Sequence, residues 1–272
     1  MEVELFEQHI VTTERHSSKG NQLKWKDGEI WYKADYTGYE GLSEYIISNL
    51  LKKSSLNSEE FVIYEPVNIR YKNNVFTGVK SNDFLDDDWQ IITLERLFKE
   101  FYGKSLYETV WKIQGIMPRF KFMIEQMERI TSITDMGVYF AKLFTIDAFF
   151  LNEDRHMHNI AVLINEEKKF KLCPIFDNGA SLLSDTKMDY PLDEDVFSLL
   201  KEVRAKSIST DFDEQLDAAE MLYDDTIKFY FTQKDVNDLL DSITIYDKKE
   251  IERVRTIIFN QMNKYNYMFP KR

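Results

Sequence analysis

The chain has 272 residues, of which 43% are hydrophobic, and its 47 acidic and 35 basic side chains give a net charge of −12. This composition can supply the core of one or two globular domains, since single cores stop growing at about 250–300 residues. The acidic excess disfavours contact with a phosphate backbone, so we expect no direct nucleic-acid ligand.

Residues 1–85 carry the turn-forming and alternating patterns of a small β-sheet with one helix. Asp27-Gly28 predicts the turn of a hairpin within residues 22–33, because Asp-Gly is a strong signal for a tight β-turn. The spacing of apolar residues predicts the helix at residues 41–53. The other predicted strands cover residues 3–11, 61–71 and 75–80.

Beyond residue 88 the predicted elements are mostly helices, and residues 81–88 are predicted to be a hinge. The helix at residues 136–151 is nearly all apolar and is expected to be buried. It precedes a hairpin of two short strands, at residues 160–164 and 170–176. The other predicted helices cover residues 93–102, 105–114, 119–130, 194–206, 233–243 and 247–265.

Three oxygen-bearing side chains surround this second hairpin. Asp154 and Asn159 lie in the loop before it, and Asp177 follows its last strand. Because a hairpin folds back on itself, we expect Asp177 to return to that loop. Phosphoryl transfer from a magnesium nucleotide uses a carboxylate to orient the attacking hydroxyl, then an amide and a second carboxylate to bind the metal. The pattern therefore predicts Asp154 as the base and Asn159 and Asp177 as Mg²⁺ ligands.

These motifs resemble those of a known group of kinases. Asp154-Arg155-His156-x-x-Asn159, followed by Ile175-Phe176-Asp177, resembles the HipA-like and CtkA-like bacterial serine/threonine kinases and, more distantly, the phosphoinositide kinases. The resemblance extends upstream to Trp31-Tyr32-Lys33-Ala34 and Ser43-Glu44-Tyr45, and covers about residues 19–184. It implies an α+β, two-lobed protein-kinase-like fold. A small antiparallel-sheet N-lobe with one helix would occupy residues 1–85, and a larger helical C-lobe with the catalytic loop and metal-binding hairpin residues 86–272.

The resemblance also implies roles for residues outside the metal site. Lys33 would hold the α and β phosphates of ATP while it pairs with Glu44, and Glu40 is the alternative partner on the same helical face. His156 either orients Asp154, contacts the substrate, or packs within its loop. The remaining predicted ATP-binding residues form a phosphate loop and the start of the hinge, namely Ser17, Ser18 and Gly20, and Val79, Lys80 and Ser81.

The predicted activity is transfer of the γ-phosphoryl group of ATP, with Mg²⁺, to Ser or Thr of a protein substrate, itself included. One alternative is a non-catalytic nucleotide-binding scaffold, which would normally have lost one of Lys33, Asp154, Asn159 and Asp177. A second is a lipid or small-molecule kinase of the same fold. A third is a zinc hydrolase built on Asp154-x-His156-x-His158.

We expect a cytoplasmic protein without a membrane partner. The single cysteine, Cys173, can form no internal disulfide, and the acidic segment Met1–Glu4 lacks the layout of a signal peptide. No apolar run reaches the roughly 18 residues of a membrane span. The resemblance to HipA toxins further suggests an antitoxin-like partner.

Overall fold

A computed structural model describes residues 2–11 and 22–270 of the chain. It divides into two compact units, and each unit is discontinuous in sequence. Unit 1 consists of Met1–Phe84, Phe176–Val203 and Phe229–Arg272, and unit 2 consists of Leu85–Ile175 and Arg204–Lys228. The functional division into lobes at residue 85 stays a prediction.

The described residues form eight strands and nine α-helices. In chain order these are β1 (Glu2–Leu5), β2 (Lys24–Asp27), β3 (Ile30–Ala34), α1 (Glu40–Leu51), β4 (Glu65–Tyr71), β5 (Asn74–Asn82), β6 (Trp89–Thr93), α2 (Leu94–Tyr102), α3 (Leu106–Lys112), α4 (Ile116–Thr131), α5 (Met136–Phe150), β7 (Ala161–Asn165), β8 (Phe170–Leu172), α6 (Val196–Leu199), α7 (Phe212–Tyr223), α8 (Gln233–Asp241) and α9 (Lys248–Lys264).

Unit 1 is built on a five-stranded sheet with the spatial order β1-β4-β5-β3-β2. Three of its strand pairs are antiparallel, and the edge strand β1 pairs parallel to β4. The hairpin turn between β2 and β3 lies one residue later than the sequence predicts. Asp27 pairs with Ile30, so Gly28 and Glu29 form the turn, and Gly28 has a φ of 57°.

The two faces of this sheet have different chemistry. Trp25, Tyr32, Val67 and Ile69 are buried in one apolar cluster. Successive residues of a strand point to opposite faces. Lys24 and Lys33, which neighbour Trp25 and Tyr32 in sequence, therefore lie on the other face.

Unit 1 is completed by segments from later in the chain. The Arg253 side chain of α9 is buried and donates hydrogen bonds of 2.6 Å to the carbonyl oxygens of Tyr190 and Pro191. The Tyr246 hydroxyl donates to Asp35, at the end of β3. These contacts join all three sequence segments of unit 1.

Unit 2 contains the sheet β6-β7-β8 and a group of helices. As expected, α5 is almost completely buried, and it packs against α7 and α4. Strand β8 ends at Leu172, earlier than predicted, because Pro174 has no N–H group for a strand ladder. In the described ranges, no helix combines the length and the apolar character that crossing a membrane requires.

One prediction for the C-terminal part was wrong and one helix was missed. The helix predicted at residues 194–206 is only α6, four residues long, because tertiary packing overrides a local helical pattern. Helix α7 was not predicted. Its N-terminus has a recognisable signal, since the Asp211 side chain accepts hydrogen bonds from the N–H groups of Asp213 and Glu214.

Candidate functional site

The predicted lysine lies between two carboxylates in unit 1. Lys33 Nζ is 2.8 Å from Glu44 Oε1 and 2.9 Å from Asp177 Oδ1. Strand β3 presents Lys33, helix α1 presents Glu44, and Asp177 lies 144 residues further along the chain than Lys33. We call Lys33, Glu44 and Asp177 the lysine triad.

The lysine triad is partly shielded from water. Burial lowers the pKa of Lys33, but Asp177 and Glu44 raise it, and the net result is a pKa well above the ordinary value. Lys33 is therefore an ammonium ion at every physiological pH. The Glu44 side chain is 2% exposed and that of Asp177 is 29% exposed, so Asp177 is the carboxylate that a solute can reach.

Glu40, the alternative partner of Lys33, has a different set of contacts. Its carboxylate accepts hydrogen bonds from the backbone N–H groups of Tyr36, Thr37 and Gly38, at 2.7–3.2 Å. It therefore holds the loop that precedes α1. The structure brings Glu44, not Glu40, to Lys33.

The backbone turns at Asp177 itself, which has a left-handed conformation with a φ of 61°. The next N–H group, that of Asn178, donates a 3.0 Å hydrogen bond to Glu44 Oε2. Gly179 lies close to α1, since a Cβ there would be 3.3 Å from the Cβ of Glu40, a tight contact. One buried carboxylate, Glu44, thus fixes both Lys33 and the chain after Asp177.

Unit 2 contains the predicted base, Asp154, and the predicted metal ligand Asn159 in one loop. Asn159 Nδ2 donates hydrogen bonds to the carbonyl oxygen of Asp154, at 2.8 Å, and to its Oδ2, at 3.0 Å. Both amide hydrogens are directed at Asp154. The Asn159 side-chain oxygen is therefore the atom of this amide that can bind a cation.

His156 lies beside Asp154, with its Nε2 3.6 Å from Asp154 Oδ1. Burial lowers the pKa of His156 and outweighs the opposing effect of Asp154. The imidazole is thus predominantly neutral at pH 7. In the part of the chain that the structure describes, no group of three His, Cys, Asp or Glu side chains is arranged to bind a metal ion, and this includes Asp154, His156 and His158.

A buried ion pair supports this loop and was missed in the sequence. Arg155 Nε lies 3.1 Å from Asp147 Oδ1 of α5, and both side chains are at most 2% exposed. Arg155 also donates to the carbonyl oxygen of Asn159, at 3.2 Å, and its own carbonyl accepts from the Ser207 hydroxyl. Burial raises the pKa of Asp147 to about 6 despite the opposing effect of Arg155. A lone carboxylate in an apolar helix was the available signal, because a buried charge requires a partner.

Comparison with known proteins gives one informative similarity. No protein-family model and no curated protein matches the sequence. The structure is similar to the crystal structure of the Helicobacter pylori proinflammatory kinase CtkA, with 16% sequence identity, a TM-score of 0.63, and 98% of this chain and 96% of that chain covered. This chain has a protein-kinase-like fold. The predicted α+β fold class is therefore confirmed.

A second similarity is more distant. HipA, from the Shewanella oneidensis MR-1 complex of the toxin–antitoxin proteins HipA and HipB with operator DNA, aligns at 10% identity and a TM-score of 0.47. The alignment covers 95% of this chain and 63% of that chain. The antitoxin-like partner stays a prediction.

Three residues that were predicted to bind ATP at the start of the hinge do not lie in a hinge loop of this kinase-like fold. Val79, Lys80 and Ser81 belong to β5, where Val79 and Lys80 pair with both β3 and β4. Their backbone groups are therefore used within the sheet, and the hinge prediction at residue 81 begins too early.

The Val79 side chain lies opposite Lys33 and packs with Tyr64 in an apolar cluster. Lys80 pairs with Glu65. The predicted phosphate-loop residues Ser17, Ser18 and Gly20 lie outside the described residues.

Proposed function

We propose that this protein is a kinase that transfers the γ-phosphoryl group of ATP, with Mg²⁺, to Ser or Thr of a protein. The observation that carries the proposal is the Lys33 ammonium held between Glu44 and Asp177 on a protein-kinase-like fold. An ammonium fixed by one buried carboxylate beside one accessible carboxylate can bind phosphate oxygens next to a metal site.

Within the lysine triad each residue has a separate task. Lys33 would bind the α and β phosphates, and Glu44 would hold the ammonium in place without competing for the ligand, because its own side chain is buried. The apolar side chain of Val79, opposite Lys33, is 1% exposed and therefore supports the sheet beneath Lys33 from within the core. A contact of Val79 with the nucleotide stays a prediction.

The chemistry of Asp177 and Asn159 fits magnesium. Mg²⁺ prefers oxygen ligands, and it is usually held by one or two protein groups together with substrate phosphates and water. Asp177 would supply a carboxylate oxygen, and Asn159 its side-chain amide oxygen. When bound, the ion would neutralise charge on the phosphate oxygens.

Asp154 would accept the proton of the acceptor hydroxyl. Asn159 holds its Oδ2, so the carboxylate has a defined orientation. His156, at 3.6 Å from Oδ1, would assist as a neutral ring. The buried pair of Arg155 and Asp147 keeps the loop in place, which preserves the geometry that positioning catalysis requires.

The test compares Asp154→Asn and Asp177→Asn with the wild-type protein. Asparagine is suitable at position 177 because it tolerates a left-handed backbone. We expect both variants to lose incorporation of radiolabel from ATP by about 10²-fold or more, Asp154→Asn because it removes the positioned base and Asp177→Asn because it removes a charged metal ligand. Only Asp177→Asn should strongly weaken binding of Mg-ATP. Asp238→Asn, at an exposed position on α8, is the matched control.

Mass spectrometry of the labelled product identifies the acceptor residue. Phosphate on Ser or Thr supports the proposal, and an unaltered transfer rate in Asp154→Asn contradicts the assignment of the base. Binding of Mg-ATP by the wild-type protein without transfer to any acceptor would favour a nucleotide-binding scaffold. A wild-type protein that binds no nucleotide overturns the proposal.

A further inference from the structure

A second lysine lies next to the lysine triad and has no assigned role. In the antiparallel pair of β2 and β3, Lys24 is directly opposite Lys33. Directly opposite residues place their side chains on the same face, with Cβ atoms about 4.5–5.5 Å apart. The neighbours Trp25 and Tyr32 are buried on the other face, so Lys24 shares the face of the lysine triad.

The charges of the lysine triad give Lys24 its significance. One ammonium faces two carboxylates in the triad, so the three residues together carry one net negative charge. A polyphosphate would be repelled by such a cluster. Lys24 adds the positive charge that makes the four side chains neutral, before any magnesium binds.

Lys24 lies near the carboxylates of the lysine triad without a direct ion pair among the described residues. Its side chain is half-buried, and no carboxylate in residues 2–11 and 22–270 forms an ion pair with it. Asp177 raises the pKa of Lys24, but burial and the neighbouring Lys33 lower it, and the net pKa is below the ordinary value. In the ligand-free protein the charged form of Lys24 is therefore less favoured, relative to the neutral amine, than it is in water. An anion bound beside Lys24 would favour the charged form again.

We propose that Lys24 is a second phosphate-binding cation of the nucleotide site, which acts with Lys33 on the polyphosphate of ATP. The proposal rests on the nucleotide-binding function proposed above. A purely structural lysine would gain stability from an ion pair in the folded protein. Lys24 instead faces Lys33 across the strand pair, an arrangement of like charges that destabilises a sheet in the absence of a bound anion.

The experiment measures dissociation constants of ATP, ADP and adenosine for the wild-type protein and Lys24→Gln. We expect Lys24→Gln to weaken ATP binding about tenfold to a hundredfold, since hydrogen bonds between charged groups have this strength. Binding of adenosine should change less than about twofold. Lys24→Arg, which keeps the charge, should retain most of the ATP affinity.

Two controls separate a phosphate contact from a general loss of structure. Lys72→Gln makes the same charge change in the turn between β4 and β5, at a lysine that pairs with Glu7, and should leave ATP affinity unchanged. Without nucleotide, Lys24→Gln should have a melting temperature equal to or above that of the wild-type protein. Lys24→Met, which keeps the apolar stem, replaces Lys24→Gln if the latter does not fold, and the same results are expected of it.

Unchanged ATP affinity in Lys24→Gln, or an equal loss for ATP and adenosine, overturns the inference and leaves the kinase proposal standing. A wild-type protein that binds no ATP overturns the kinase proposal and this inference together.

Discussion

Two carboxylates hold Lys33 in position. Removing this lysine should therefore lower the free energy of unfolding by more than the loss of one exposed ion pair. The buried Glu44 would remain near Asp177 without the cation that pairs directly with both of them. Breaking a buried pair from one side typically costs about 3–5 kcal/mol. We therefore expect Lys33→Met to lower the free energy of unfolding by about this amount, measured by urea denaturation.

An exposed ion pair provides the control for Lys33→Met. Lys53 pairs with Asp235 in the same unit, and its side chain is 54% exposed. Lys53→Met should change the free energy of unfolding by less than about 1 kcal/mol. An equally small loss in Lys33→Met would show that the lysine triad does not contribute to stability as described.

Most residues of the candidate site could be predicted from the sequence, because they belong to short motifs. Lys33, Glu44, Asp154, Asn159 and Asp177 each belong to such a motif. Lys24 was missed because the pairing of two strands depends on which residues form the turn. With Asp27-Gly28 at the centre of the turn, Lys33 would pair with Gln22, whereas the observed turn pairs it with Lys24.

The junction between β3 and α1 contains a buried carboxyl group, that of Asp35. Asp35 accepts hydrogen bonds from the Gly41 N–H group at the start of α1 and from the Tyr246 hydroxyl. Burial, and then the nearby Glu40, raise the pKa of Asp35 from 3.8 to about 7. This carboxyl group is therefore neutral in the folded protein below pH 7.

Because the pKa of Asp35 is raised in the folded protein, the free energy of unfolding should fall as pH rises. Between the unfolded pKa and about pH 7, Asp35 is protonated in the folded protein but not in the unfolded chain. The contribution of this proton to stability is therefore fully present below the unfolded pKa and is lost by about pH 8. At most about 4 kcal/mol is involved. We expect Asp35→Asn, which cannot ionise, to lose less stability than the wild-type protein between pH 5 and pH 8 in urea titrations.

The matched control for this titration is Asp238→Asn, which changes an exposed carboxylate on α8. It should follow the wild-type pH dependence. Parallel pH curves for Asp35→Asn and the wild-type protein would show that Asp35 is not the titrating group.

At the scale of elements, prediction succeeded where the pattern was local and failed where packing decided. The apolar helix α5 and the hairpin of β2 and β3 follow from periodicity and turn residues alone. Residues 194–206 have a helical pattern as well, but only Val196–Leu199 are helical. Tertiary packing can override local propensity, and no local pattern contains that information.

On the scale of the whole molecule, the sheet that carries Lys33 depends on the C-terminal segment. Phe229–Arg272 belongs to unit 1. In this segment, Arg253 donates hydrogen bonds to the backbone of residues 190–191, and Tyr246 donates one to the side chain of Asp35. We expect a chain that ends at Lys228 to lose the cooperative unfolding of unit 1 and the binding of ATP. Hydrogen exchange of β3 and β5 amides, compared with the full chain, measures the loss.

Unit 2 provides the internal control for this truncation, since all its segments precede residue 229. Amides of α5 should keep their protection in the shortened chain. A shortened chain with unaltered protection in β3 and β5 would contradict the dependence of unit 1 on its last segment.

The discontinuity of unit 1 also sets an order of events on the ribosome. Synthesis proceeds at about 5–20 residues per second, and every segment of unit 2 has been made before the third segment of unit 1 begins. The early strands must wait for α9 to leave the exit tunnel before their unit is complete. A nascent chain would thus complete the unit that carries the lysine triad last, so that unfinished polypeptides lack the proposed phosphate-binding site.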